Sequence, residues 1–160
     1  MGEIELEIPA RPEYLSLARQ VVAAAAAVEP RFQADRIDDL RLAVSEATTN
    51  AVEAHASAES GGRIRIRCLL DLDGDSIRVE VRDEAGGFDP DAVPALPEPG
   101  DPTRLSFERG LGIPIMKQLA DEAEIRPTDS GTMVELVVYR SSASTSPDTD
   151  EAARDQSARP

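Results

Sequence analysis

The chain has 160 residues, with 17 basic against 31 acidic side chains, a formal charge of −14, and 41% hydrophobic residues. That is enough for one globular domain, and a surface so negative repels phosphodiester backbones and anionic lipid, which proteins bind through clustered Lys and Arg. No direct nucleic acid partner and no membrane partner is therefore expected.

The longest apolar run, the eight residues from Val21 to Val28, falls short of the ~20 that a membrane-spanning helix needs. The acidic start lacks a positive region followed by an apolar core, so a cytoplasmic location is expected. Cys68, His55 and Lys117 are each the only residue of their type, which excludes an intramolecular disulfide and leaves too few ligands for a Cys/His zinc site. Lys117 follows Met116 rather than Gly, so the phosphate loop G-x-x-x-x-G-K-[ST] is absent as well.

In chain order, Glu3 to Ile8 alternates acid and aliphatic residues and reads as a strand with Ile4, Leu6 and Ile8 on one buried face. A helix is predicted from Pro12 to Val28, with Leu15, Ala18, Val22 and Ala25 at helical spacing. Asp35 to Ala56 contains no Gly or Pro, and Leu40, Ala43, Val44, Ala47, Ala51 and Ala54 recur three and four apart. One stripe of this second helix therefore faces a core, and Glu46 and Asn50 lie one turn apart beside it.

Two strands follow, in which Ile64, Ile66, Cys68 and Leu70, then Ile77, Val79 and Val81, alternate with charged residues around a turn at Asp73-Gly74. That turn is not a calcium loop, because Gly falls at loop position four and Arg82 occupies the place of the final Glu. Cys68 reads as core, and His55, at helical spacing from Ala51, as a packed or capping histidine. After Asp83 come Gly86 and Gly87, then a stretch from Asp89 to Glu108 with five prolines and little periodicity, the pattern of a lid or a disordered loop. Arg109-Gly-Leu-Gly-Ile113 opens a short helix, a strand follows near Glu124 to Arg126, and Gly131-Thr132 precedes a last strand, Met133 to Tyr139. From Ser141 to Pro160 the only apolar side chains are alanines, so residues 1–140 are expected to form the domain and 141–160 a disordered acidic tail.

Singly, these polar and glycine signals are common; their order is not. The phrases Arg41-Leu-Ala-Val-Ser-Glu-Ala-Thr-Thr-Asn-Ala-Val52 and Arg109-Gly-Leu-Gly-Ile-Pro-Ile-Met116 resemble those of the GHKL ATP-binding fold. Within it, they are most similar to bacterial anti-sigma factor serine/threonine kinases of the RsbW and SpoIIAB type. The resemblance implies a two-layer α/β sandwich of the Bergerat type, with helices on one face of a mixed, mostly antiparallel sheet. It also implies ATP and Mg2+ held between the long helix and a lid over residues 89–112.

By the same resemblance, Asn50 is the magnesium ligand, Glu46 the general base and Asp83 the acceptor for the adenine amino group. Gly86 and Gly87 let backbone approach the nucleotide, and the family pattern has a Gly where Ala85 stands. Arg109, Gly110, Leu111 and Gly112 would meet the phosphates, and Thr132 would close the pocket. The implied reaction is phosphoryl transfer to a Ser or Thr of an anti-anti-sigma protein with a STAS domain. A sigma factor would be sequestered in an ATP-dependent manner, commonly by a homodimer. The alternative class is a non-catalytic, ATP-responsive partner-switching module, against which the intact Glu46 and Asn50 pair argues.

Overall fold

The computed structural model describes residues 2–30, 32–59, 61–71, 75–86 and 112–140. They form strand β1 (Gly2–Pro9), helices α1 (Leu15–Ala27) and α2 (Ala34–Ser57), strands β2 (Arg63–Leu70) and β3 (Ser76–Asp83), helix α3 (Gly112–Leu119), and strands β4 (Glu122–Pro127) and β5 (Thr132–Tyr139). The predicted first helix begins as a single 3-10 turn, Pro12–Tyr14, before the α-helix proper. Pro12 fits that first turn because its missing N–H would have no partner there. The Asp73-Gly74 turn and the segment from Ser141 to Pro160 lie outside the described residues.

The sheet order is β1-β2-β3-β5-β4, and every pairing is antiparallel. The expected mixed sheet thus has no parallel pair among the described strands, for a topological reason. Strands β3 and β4 do run the same way, joined through α3, but β5 inserts between them and pairs with both. A crossover that would have made a parallel neighbour is split by the last strand.

Side-chain alternation assigns the two faces of the sheet. Inward on β2 and β3 point Ile64, Ile66, Cys68, Ile77, Val79 and Val81, all with 2% exposure or less, and on β5 Val134, Leu136 and Val138 are also buried. Helix α1 packs over β1 and β2, and α2 over β3 and β5. Their contributions are Ala18, Val22, Ala25 and Ala26 from the first, and Leu40, Ala43, Val44, Ala47 and Ala51 from the second. This is the stripe that the sequence spacing predicts, except that Ala54 is only half-buried and faces a cavity.

The outer face carries charges that neutralise one another across strands. Arg67 bonds Glu3 at 2.8 Å and Glu80 at 3.0 Å, and Arg78 bonds Glu135 at 3.0 Å. At one end of the sheet, Arg36 near the start of α2 donates to Asp39 (2.8 Å), to Asp121 and to the Tyr139 carbonyl (3.2 Å). This clamp fixes the entry of α2 against the β4 and β5 end, and so orients the helix that carries Glu46 and Asn50.

Cys68 is 1% exposed, and burial pushes its thiol up to about 11. A thiol reagent at mildly alkaline pH should therefore leave the native protein unmodified and consume one equivalent only after denaturation. Titration with a chromogenic disulfide, with and without guanidinium, checks this.

Candidate nucleotide site

The inward rows of β3 and β5 end in polar residues. On β3 the series Ile77, Val79, Val81 terminates in Asp83, and on β5 Val138, Leu136, Val134 terminates in Thr132. These two terminal residues are direct partners across the strands, and both are buried, at 8% and 6% exposure. A carboxylate and a hydroxyl thus stand side by side where the hydrophobic core opens. Asp83 is further oriented by Ala85, whose backbone N–H donates to Oδ1 at 3.0 Å. That leaves the second carboxylate oxygen as an acceptor for a ligand amine.

The loop after β3 is pinned to the turn before β5. Gly86, at φ +93°, donates its N–H to the Ser130 carbonyl at 3.0 Å. Such a backbone angle suits glycine and few other residues. The turn is closed by Thr128, which donates its N–H to the Gly131 carbonyl at 2.8 Å and accepts the Gly131 N–H on Oγ1 at 3.0 Å. A Cβ on Gly131 would lie 2.1 Å from the Asp83 carbonyl oxygen. Gly131 is therefore the residue that lets β5 approach the end of β3 closely enough to set Thr132 beside Asp83. The sequence signal for it is the Gly-Thr pair itself, but nothing local reveals which backbone it must admit.

The other end of the site is built by α2 and α3. Glu46 and Asn50 are both half-buried on the face of α2 that meets α3. Gly112, the first residue of α3, is buried so close to them that a Cβ there would lie 3.2 Å from Glu46 Oε2 and from both terminal atoms of the Asn50 amide. The carboxylate and the amide thus converge on one point at the N-terminal end of a helix, where the helix dipole and free N–H groups favour an anion.

Between the two ends runs a cavity of about 410 Å³, within the range of small-molecule and cofactor sites. Asn50, Asp83 and Thr132 all line it, over a floor of Ala47, Ala51, Val81 and Val134. The structure therefore sets Asn50, Asp83 and Thr132 on the cavity wall, with Glu46 and Gly112 beside Asn50 and Gly86 three residues after Asp83, none of these three among the described lining residues. Gly87, Arg109, Gly110 and Leu111, with the expected lid, lie outside the described residues. His55 is buried at 1% exposure, away from the cavity lining, with its ring against the space a Gly62 Cβ would occupy. It is a packed histidine.

A magnesium ion bound with a nucleotide fits this donor set. Among the described residues, no group of three His, Cys, Asp or Glu could hold a metal alone, while one amide oxygen beside one carboxylate suits a hard cation whose remaining ligands are phosphate oxygens and water.

Comparison with known proteins bears on the family and the fold. The family model for the histidine kinase-like ATPase domain matches residues 8–138. The chain is 35% identical over 140 residues to the serine-protein kinase RsbW of Bacillus subtilis, covering 85% of this chain and 84% of that one. It is 39% identical over 139 residues to the anti-sigma F factor of Caldanaerobacter subterraneus, covering 85% and 92%. A crystal structure of the RsbU and RsbW domains of Rv1364c from Mycobacterium tuberculosis superposes with a TM-score of 0.61 at 23% identity, over 87% of this chain and 32% of that one. The fold, the paired polar ends of the cavity and the matched span lead to one assignment: the chain belongs to the histidine kinase-like ATPase domain family.

Proposed function

We propose that the protein is an ATP-dependent serine/threonine kinase of the anti-sigma type, which phosphorylates an anti-anti-sigma protein with a STAS domain and sequesters a sigma factor. The observation that carries this reading is the convergence of Glu46 Oε2 and the Asn50 amide on Gly112, each 3.2 Å from a Cβ position there, beside a cavity that Asn50, Asp83 and Thr132 line together. RsbW of Bacillus subtilis is named a serine-protein kinase and the Caldanaerobacter relative an anti-sigma F factor, and both similarities span the site.

In this reading Asp83 accepts the exocyclic amino group of adenine, held in register by the Ala85 N–H, and Thr132 closes that end. The apolar walls exclude water from the base. Asn50 would hold Mg2+ through its amide oxygen, and the ion would supply charge neutralisation to the phosphates. Glu46 accepts the proton of the attacking Ser or Thr hydroxyl as that oxygen approaches the γ-phosphorus and the bond to the β-phosphate oxygen breaks. The N-terminal end of α3 at Gly112 faces the phosphates in this reading. The kinase acts as a homodimer in the cytoplasm, and residues 1–140 suffice for ATP binding.

The test is incubation of the protein with Mg2+, γ-labelled ATP and a panel of STAS-domain proteins. Label on a partner Ser or Thr establishes the kinase. Binding without transfer would instead leave an ATP-responsive binding module, and no binding would remove the site assignment. Asn50→Ala should lower ATP affinity by about tenfold or more when Mg2+ is present and leave it unchanged in EDTA; titration calorimetry in both buffers checks this. Deleting Ser141 to Pro160 should leave the melting temperature unchanged, because the segment has no core-forming side chains.

A further inference from the structure

The charged side chains among the described lining residues of the cavity are all acidic. They are two carboxylates, Glu53 and Asp83, with no Lys or Arg. Asp83 is accounted for by its place at the end of the core and its bond to Ala85. Glu53 is not. It lies one turn beyond Asn50 on the face of α2 that borders the cavity, it is exposed, and among the described residues its carboxylate makes no ion pair. The helix ends four residues later at Ser57, so the negative end of its dipole adds to the same side.

We propose that Glu53 makes the site selective for the metal-bound nucleotide, by repelling ATP that carries no divalent cation. This rests on the nucleotide reading above. A polyphosphate in the cavity meets a fixed negative charge on the rim of the same helix face that offers the Asn50 amide. The repulsion scales with the net charge of the ligand, so complexation of the phosphates by a cation removes about half of it. The metal therefore contributes twice: it gains the Asn50 ligand and it relieves the Glu53 field. A site with a lysine at this position would instead hold metal-free ATP well and gain less from the cation.

The experiment is titration calorimetry of the full chain, its Glu53→Gln and its Glu53→Lys variants with ATP, in Mg2+ and in EDTA, at low and high salt. Gln and Lys have helix propensities close to that of Glu, and the position is exposed, so folding is preserved. The expected result is that the ratio of the EDTA to the Mg2+ dissociation constant narrows about threefold in Glu53→Gln and about tenfold in Glu53→Lys, and that both effects shrink as salt rises. A ratio unchanged in both variants, or a loss of Mg·ATP affinity in Glu53→Gln with the ratio intact, overturns the proposal and leaves the nucleotide site standing. Failure of the unsubstituted chain to bind ATP in either buffer overturns the nucleotide reading itself.

Discussion

Replacing Glu46 with glutamine is expected to abolish phosphoryl transfer while leaving Mg·ATP affinity within about twofold. The substitution keeps the shape and hydrogen-bonding reach of the side chain beside Gly112 and Asn50 but removes its capacity to take a proton. A positioned general base accounts for about 10²- to 10⁴-fold in rate, so transfer to the anti-anti-sigma partner should fall by that factor. Single-turnover labelling at saturating ATP separates this loss from any loss of binding. An unchanged rate would remove Glu46 from the chemistry. A parallel loss of affinity would instead make it a positioning residue for Asn50, whose amide approaches the same Gly112.

The role of Glu46 follows from the family resemblance, but its pairing with Asn50 is readable from the chain alone because it is local. Glu46 and Asn50 are one helical turn apart, and a helix repeats its faces with a fixed period, so their common side was legible from spacing. The same holds for the strands, where alternation assigned Ile64, Ile66 and Cys68 to the core and Arg63, Arg65 and Arg67 to the outer face. Asp83 is readable as the polar residue after an apolar strand, and Thr132 as the residue before another. Their adjacency was not, because it depends on β5 sliding between β3 and β4, a pairing between segments far apart in sequence. Long-range register is set by the packing of the whole sheet rather than by any local pattern.

The contributions of Arg36, Gly112 and Glu53 have the same origin. Nothing in the local sequence marks Arg36, yet it joins α2 to Asp121 and to the Tyr139 carbonyl. Gly112 reads as the opening of a helix, and which two side chains of α2 it approaches appears only once α3 is docked. Glu53 reads as an ordinary exposed helix residue until the cavity beside it is formed. In each case the residue type was visible and its neighbour was not.

Gly131 shows how much a single such neighbour can decide. An alanine there would place its Cβ 2.1 Å from the Asp83 carbonyl oxygen and 2.8 Å from the Glu84 Cα. Both are backbone atoms, so no side chain can swing aside, and the end of β3 or the turn before β5 must move. Gly131→Ala should therefore cost about 2–4 kcal/mol of stability, as overpacking against fixed backbone does, and lower the melting temperature by about 5–10 °C. Gly61→Ala is the matched control, since a Cβ there meets nothing within 4 Å, and it should melt with the parent. At a temperature where both variants are folded, the Gly131 variant should also bind ATP more weakly, by about tenfold or more, because the displacement falls on the strand end that holds the Asp83 carboxylate. A stable variant with full ATP affinity would show that the β3 to β5 contact can relax without disturbing the Asp83 end of β3. A destabilised variant with full affinity would separate the two roles and confine Gly131 to the fold.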